Sequence, residues 1–320
     1  MAGGAYQGIV GLPAGITLLD GGTGRELRRI GAPFRQPEWS ALALIEAPEF
    51  VARVHRAFIA AGADVITTNS YAIVPFHIGA ERFALDGLAL AQRAGRLARE
   101  AADAAGRPVL VAGSLPPICG SYRADWFDPV FARPILSALV QGLRPHVDHW
   151  QPETLSGIAE AELAREVVGE DGKPLWLSFT LRDDVRSAQP QLRSGEPVND
   201  AVAAALRLRA QALLFNCSQP EVMGAAVDAA RECLRRSERS DAADLRVGVY
   251  ANAFANVPKE AQANADLNEI RADLTPQGYL RWVLDWIDRG AAIVGGCCGI
   301  SPDHIRMMRA AISETALPGV

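Results

Sequence analysis

The chain has 320 residues, 49% of them hydrophobic, and a formal net charge of -5 with acids and bases well mixed. That length and apolar content suit one large domain or two ordinary ones, and without a basic block or interleaved basic and aromatic residues a nucleic-acid surface is not expected. No apolar run is long enough to span a bilayer and no signal peptide is evident; five cysteines without disulfide-like spacing suggest a soluble cytoplasmic protein whose thiols stay reduced.

Eight short β-rich runs follow one another, most with a helical pattern between them. Residues 16–20 form the first. A helix over 48–61 precedes the second run, at 64–69, and an Ala/Arg-rich helix over 88–105 precedes the third, at 108–113. The fourth lies near 146–153. A helix over 155–168 leads to the fifth at 174–180, one over 201–209 to the sixth at 212–216, one over 221–236 to the seventh at 246–250, and one over 280–289 to the eighth at 291–296. This alternation predicts an α/β fold, a (β/α)8 barrel of the TIM type. A doubly wound sheet is the alternative, but Gly21-Gly22-Thr23-Gly24 matches its Gly-x-Gly-x-x-Gly fingerprint only loosely. No linker or repeat divides the chain, so residues 1–320 read as one domain. The polar stretch Val257–Asp273 reads as a long loop, functional or mobile.

In such a barrel the active site lies at the C-terminal ends of the strands, and polar residues gather there. Asp20 closes the first run, Thr67, Thr68 and Asn69 the second, Glu153 and Thr154 the fourth, Ser178 and Thr180 the fifth. Asn216 and Cys217 close the sixth, Tyr250 and Asn252 the seventh, Cys297 and Cys298 the eighth. Any one could be a turn residue; a shared rim is harder to explain that way.

Gly295-Gly296-Cys297-Cys298-Gly299, directly after an apolar run, is the most informative stretch. A disulfide between adjacent cysteines is strained, whereas thiolates are natural ligands for soft or borderline metals. Glycine tolerates positive φ, which would let the turn aim both sulfurs at one point. Cys217 is the candidate third sulfur, and three thiolates would leave one position of a tetrahedral zinc site open for chemistry. Free cysteines are otherwise often small buried hydrophobes. That reading suits Cys119, in a Pro/Gly loop, and Cys233, on an amphipathic helix; it explains the glycine-framed pair poorly. His149 on the fourth strand could face the interior as a ligand or simply hydrogen-bond locally, while His55, His77 and His304 look structural.

Leu19-Asp20-Gly21-Gly22-Thr23-Gly24-x-Glu26-Leu27, Trp39-Ser40-Ala41, Thr67-Thr68-Asn69-Ser70-Tyr71, Glu153-Thr154, Ser178-Phe179-Thr180, Asn216-Cys217 and Gly295-Gly296-Cys297-Cys298-Gly299 occur in that order. Together, from about Thr17 to Ile312, they resemble the homocysteine S-methyltransferase family. The resemblance implies a barrel that holds Zn2+ through Cys217, Cys297 and Cys298, with homocysteine adding its sulfur as fourth ligand. It implies that Asp20 and Glu153 bind the substrate's amino group, that Thr68 lines the same pocket, and that Asn216 contacts the substrate or supports a ligand. No catalytic side chain beyond the metal-activated substrate thiolate is implied. The expected product is methionine and the expected partners are small molecules.

The methyl donor implied is a sulfonium, S-methylmethionine or S-adenosylmethionine. Betaine-dependent relatives resemble a longer chain, and cobalamin-dependent ones need further modules. Alternatives are another onium-dependent thiol methyltransferase, a zinc hydrolase, and a zinc-stabilised binding barrel with His149 as fourth ligand. Three places depart from the family pattern: Tyr250-Ala251-Asn252 where Tyr-Pro-Asn is frequent, His149-Trp150-Gln151-Pro152 before Glu153, and the Ser114–Tyr122 loop. They bear on the donor and the substrate side-chain pocket and leave the cysteines untouched.

Overall fold

The computed structural model describes residues 15–183, 189–254 and 269–315. In chain order the elements are β1 (Thr17–Leu18), α1 (Thr23–Arg29), α2 (Ser40–Glu46), α3 (Pro48–Ala61), β2 (Val65–Thr67), α4 (Pro75–Ile78), α5 (Ala80–Asp103) and β3 (Leu110–Leu115). Then come α6 (Pro129–Leu143), β4 (His149–Pro152), α7 (Ile158–Val168), β5 (Trp176–Phe179), α8 (Val198–Arg207) and β6 (Ala212–Asn216). The last are α9 (Pro220–Arg235), β7 (Arg246–Tyr250), α10 (Pro276–Asp288), β8 (Ile293–Val294) and α11 (Pro302–Thr315). All eight expected strands are present. The expected loop Val257–Asp273 falls largely outside the described residues, which resume at 269.

Local chemistry sets the helix ends. Proline at the first position starts α3, α6 and α10, where the missing N–H has no helical partner in any case. Asp128 caps α6 by accepting from the Val130 and Phe131 amides, and Thr275 caps α10 by accepting from Gly278. Gly62 ends α3 at φ 107°, a conformation open to glycine.

The ladders between these eight strands are all parallel. One sheet runs β1-β8-β7-β6-β5 and the other β2-β3-β4. Single parallel bridges, Leu19 to Val65 and Trp150 to Leu175, connect their edges. Successive strand residues point to opposite faces, and the core divides accordingly. Leu18, Ile66, Val111, Leu213, Val249 and Val294 join the large apolar cluster that includes the helices. Their neighbours Leu19, Val65, Ala112, Leu214, Tyr250 and Ile293 form a second cluster with Trp176 and Ala212. Among the described residues no helix is long and apolar enough to cross a membrane.

Candidate active site

The strand ends open into a cavity of about 120 Å³. Of the residues expected at the site, Asp20, Thr68, Glu153, Cys217, Cys297 and Cys298 all line it.

The three cysteine sulfurs lie within 4.8 Å of one another. Thiolates about 2.3 Å from one tetrahedral ion would sit about 3.8 Å apart, so the group fits a single metal. Among the described residues no histidine or carboxylate joins it. His149 stacks against Trp176 with ring centroids 4.0 Å apart, and burial pushes its pKa down to about 4. It does not line the cavity, so it is not placed as the fourth protein ligand that a closed structural site would need.

Backbone packing places the sulfurs. Cys217 follows β6 at φ 51°. The loop after β8 is pinned on two sides, by Gly296 N–H to Asp20 O at 3.0 Å and by Cys297 N–H to Ala251 O at 2.9 Å. The glycines act differently from the sequence expectation. Of the three framing the cysteine pair only Gly299 has positive φ, at 88°. Gly295 and Gly296 are required by close approach: a β-carbon would lie 2.5 Å from Leu19 Cβ at the first and 2.2 Å from Ile300 Cγ2 at the second. Gly22 meets the same loop, its would-be β-carbon 2.7 Å from Cys297 O.

The thiols do not ionise independently. Cys298 is held well below the usual thiol range by hydrogen bonds from Cys217 and Cys297. Cys297 is pushed up by its hydrogen bonds to the other two and by burial. At Cys217 the bond with Cys297 lowers the pKa, but Cys298 and burial outweigh it and the net direction is up. Without a metal the three thiols therefore titrate as one coupled group.

Two carboxylates share the cavity. Asp20 accepts from the Thr67 amide at 2.8 Å and the Thr67 hydroxyl at 3.0 Å. Glu153 accepts from Ser114 Oγ at 2.5 Å and Tyr250 OH at 3.0 Å, and Gln151 Nε2 donates to that same Tyr250 oxygen at 3.2 Å. Burial raises both, to about 7, against those bonds; Asp20 also feels the charge of Glu153. A cavity that makes carboxylates costly to ionise is suited to a cationic guest, which relieves that cost.

Thr68 turns its hydroxyl to Ser70 Oγ at 2.9 Å and to the Ser114 amide at 3.0 Å, bracing β3 behind Glu153. Asn216 is fully buried and does not line the cavity. Its Oδ1 accepts from the Thr154 amide at 3.0 Å and Ser178 Oγ at 2.9 Å, and its Nδ2 donates to Thr154 Oγ1 at 2.9 Å. It thus stabilises Thr154 in a left-handed conformation, φ 59°, unusual for a β-branched residue. Of the other rim residues, Thr67, Asn69, Thr154 and Tyr250 face the cavity, whereas Ser178, Thr180 and Asn252 are buried away from it.

Sequence reasoning did not single out the aromatic wall. Trp39, Tyr71, Tyr122 and Phe254 line the cavity beside Tyr250. Trp39 and Tyr71 stand inside the quoted motifs, so type and position together could have marked them. Tyr122 belongs to the loop that departs from the family pattern, and its hydroxyl lies 2.9 Å from Cys217 Sγ. Trp39, Tyr122, Thr154 and Cys217 are four of the five non-glycine residues with positive φ among the described residues, and all four line this cavity. Such strain characteristically collects at working sites.

The homocysteine S-methyltransferase family model matches residues 17–312. Homocysteine S-methyltransferase of Escherichia coli (strain K12) is 31% identical, over 92% of this chain and 94% of its own. Homocysteine S-methyltransferase 4 of Zea mays is 29% identical over 98% of this chain and 94% of its own. The crystal structure of the E. coli homocysteine methyltransferase MmuM in its metallated form superposes with a TM-score of 0.72 at 29% identity, covering 93% of this chain and 97% of that one.

Proposed function

The chain belongs to the homocysteine S-methyltransferase family, and from that premise we propose that it transfers a methyl group from an onium donor, by preference a sulfonium such as S-methylmethionine or S-adenosylmethionine, to the thiol of homocysteine, with zinc held by Cys217, Cys297 and Cys298. The observation that carries this reading is three cysteine sulfurs within 4.8 Å of one another in the same cavity as two buried carboxylates. The metallated state of the E. coli relative supports a metal at the site. As scaffold we propose one domain whose eight strands close into a ring through the Leu19–Val65 and Trp150–Leu175 bridges; the inner cluster drawn from both sheets supports that closure.

Zinc bound there supplies the positive charge that keeps a substrate thiol ionised near neutral pH. The chain's residues do the rest. Three thiolates exceed the charge of a divalent ion, so the substrate sulfur stays electron-rich. Asp20 and Glu153 take the substrate ammonium and become fully ionised as they do so. Thr67, Ser114 and Tyr250 orient those two carboxylates by the bonds described above. The aromatic faces of Trp39, Tyr71, Tyr122 and Phe254 suit a positively charged methyl carrier. The thiolate displaces the donor's neutral leaving group in line, so alignment supplies much of the rate.

The test uses metal-loaded protein with homocysteine and a panel of sulfonium and quaternary ammonium donors, scored for methionine. Methionine with a sulfonium donor, lost together with metal in Cys298→Ser, is the expected result. Turnover at full rate in a Cys298→Ser protein free of metal would overturn the mechanism, and turnover with betaine alone would overturn the donor assignment.

A further inference from the structure

Tyr122 occupies the left-handed region, φ 66°, without being glycine. The strain delivers its hydroxyl to within 2.9 Å of Cys217 Sγ. Once Cys217 is a thiolate it has no proton to give, so the phenol is the donor. The Arg193 guanidinium carbon lies 4.9 Å from the Tyr122 ring centroid. That guanidinium is paired with Asp183 at 2.7 Å, the two side chains only 7% and 1% exposed. Asp183 also accepts from the Gln219 amide at 3.2 Å, just past Cys217 in the chain. Neither Cys297 nor Cys298 receives a hydroxyl hydrogen bond among the described residues.

We propose that Tyr122 is a positioning residue: held by the Arg193–Asp183 pair, it donates a hydrogen bond to Cys217 Sγ that keeps this sulfur a ligand and prevents it from competing with the substrate for the methyl group. The inference rests on the function proposed above. A cavity holding an onium donor exposes it to every thiolate on its wall. Attack by Cys217 would form a bond from Sγ to the methyl carbon and break the bond from that carbon to the onium centre. The electron pair of the broken bond would remain on the donor, now neutral, and no proton would move. On the substrate that step is the reaction; on Cys217 it makes a thioether, which lacks the charge a metal ligand requires. A charge-assisted bond from a phenol withdraws charge from the sulfur and lowers its nucleophilicity. The cation over the ring strengthens the phenol as a donor and fixes its direction.

The experiment compares wild type with Tyr122→Phe, which keeps the ring. Each is loaded with cobalt(II), then incubated with a sulfonium donor and no homocysteine. In Tyr122→Phe we expect metal affinity lower by about tenfold, in the range seen when a ligand loses its orienting partner. The sulfur-to-cobalt charge-transfer band should move to lower energy, because an unbonded thiolate is easier to oxidise. Mass spectrometry should find methyl accumulating on the Cys217 peptide while the band fades, with that peptide unmodified in wild type. A second variant, Asp183→Asn with Arg193→Met, removes both buried charges together and should shift the same readouts in the same direction by less; it carries the test if Tyr122→Phe does not fold. A folded variant with the wild-type band and unmethylated Cys217 overturns the proposal. Wild type that binds no metal overturns the proposed function, and this inference with it.

Discussion

Replacing Glu153 by glutamine should stabilise the metal-free, substrate-free protein above neutral pH while damaging its activity. Burial raises this carboxyl from its ordinary value of 4.5 to about 7. The folded state therefore favours the protonated form. That contribution is complete below about 4.5 and is lost as pH rises through about 7. Full ionisation costs the fold about 3 kcal/mol at about 1.4 kcal/mol per tenfold change in proton affinity. Glutamine avoids that cost but accepts hydrogen bonds at one atom only. The bonds from Ser114 and Tyr250 cannot both persist, a loss of about 1 kcal/mol. The balance at pH 8 is a gain of about 2 kcal/mol, turning into a loss of about 1 kcal/mol near pH 4.5. Denaturant unfolding of chelated protein across that range reads the difference directly. Homocysteine saturation should weaken at least about a hundredfold, since the substrate ammonium loses a desolvated partner. A stability difference that does not change with pH, or a variant weaker than wild type at pH 8, would refute the reasoning.

Three further outcomes follow from the same site. Metal affinity should drop steeply on acidification below pH 8, because the coupled thiols must give up protons to become ligands; competition against a chelator of known pH dependence measures the slope, and a flat profile contradicts thiolate ligation. Asn216→Ala should cost about 3 kcal/mol in denaturant unfolding, since it strands the buried Thr154 amide and Ser178 hydroxyl. Gly296→Ala should lose metal because the new methyl would lie 2.2 Å from Ile300 Cγ2 and 2.3 Å from Ile300 Cβ; Ile300→Gly in the same chain, which removes both atoms, should restore part of the binding, and failure to do so would place the defect elsewhere.

The strands were readable because apolar runs bounded by turn residues mark them well, and because their ends carry most of the polar side chains. Several helices were not. The helix α6 carries Pro134 in its interior, which masks a helical pattern, and α1 begins inside a glycine motif that reads as a turn. Residue type was enough to bring the three cysteines into one cavity, since few other arrangements explain paired cysteines framed by glycine. It was not enough to explain Gly295 and Gly296, whose need is set by Leu19 and Ile300 pressing from other parts of the fold. The resemblance implied for Asn216 a substrate contact or a supporting role; its three side-chain hydrogen bonds go to Thr154 and Ser178, a network that residue type alone does not disclose. Tyr122 was hidden for a similar reason, because its reach to Cys217 depends on a left-handed backbone that no residue type announces.

The glycine-to-glycine packing of the loop after β1 against the loop after β8 also dictates an order of assembly. Gly22 lies against Cys297, and the Gly296 amide bonds Asp20, so two sulfurs take their places only when the last strand docks beside the first. Contacts so distant along the chain are slow to form, because a long loop must close before they repay its entropy. Nascent or partly unfolded chains lacking that docking would present Cys217 without its companions. Such chains could not hold a metal tightly, so metal capture reports that the first and last strands have met.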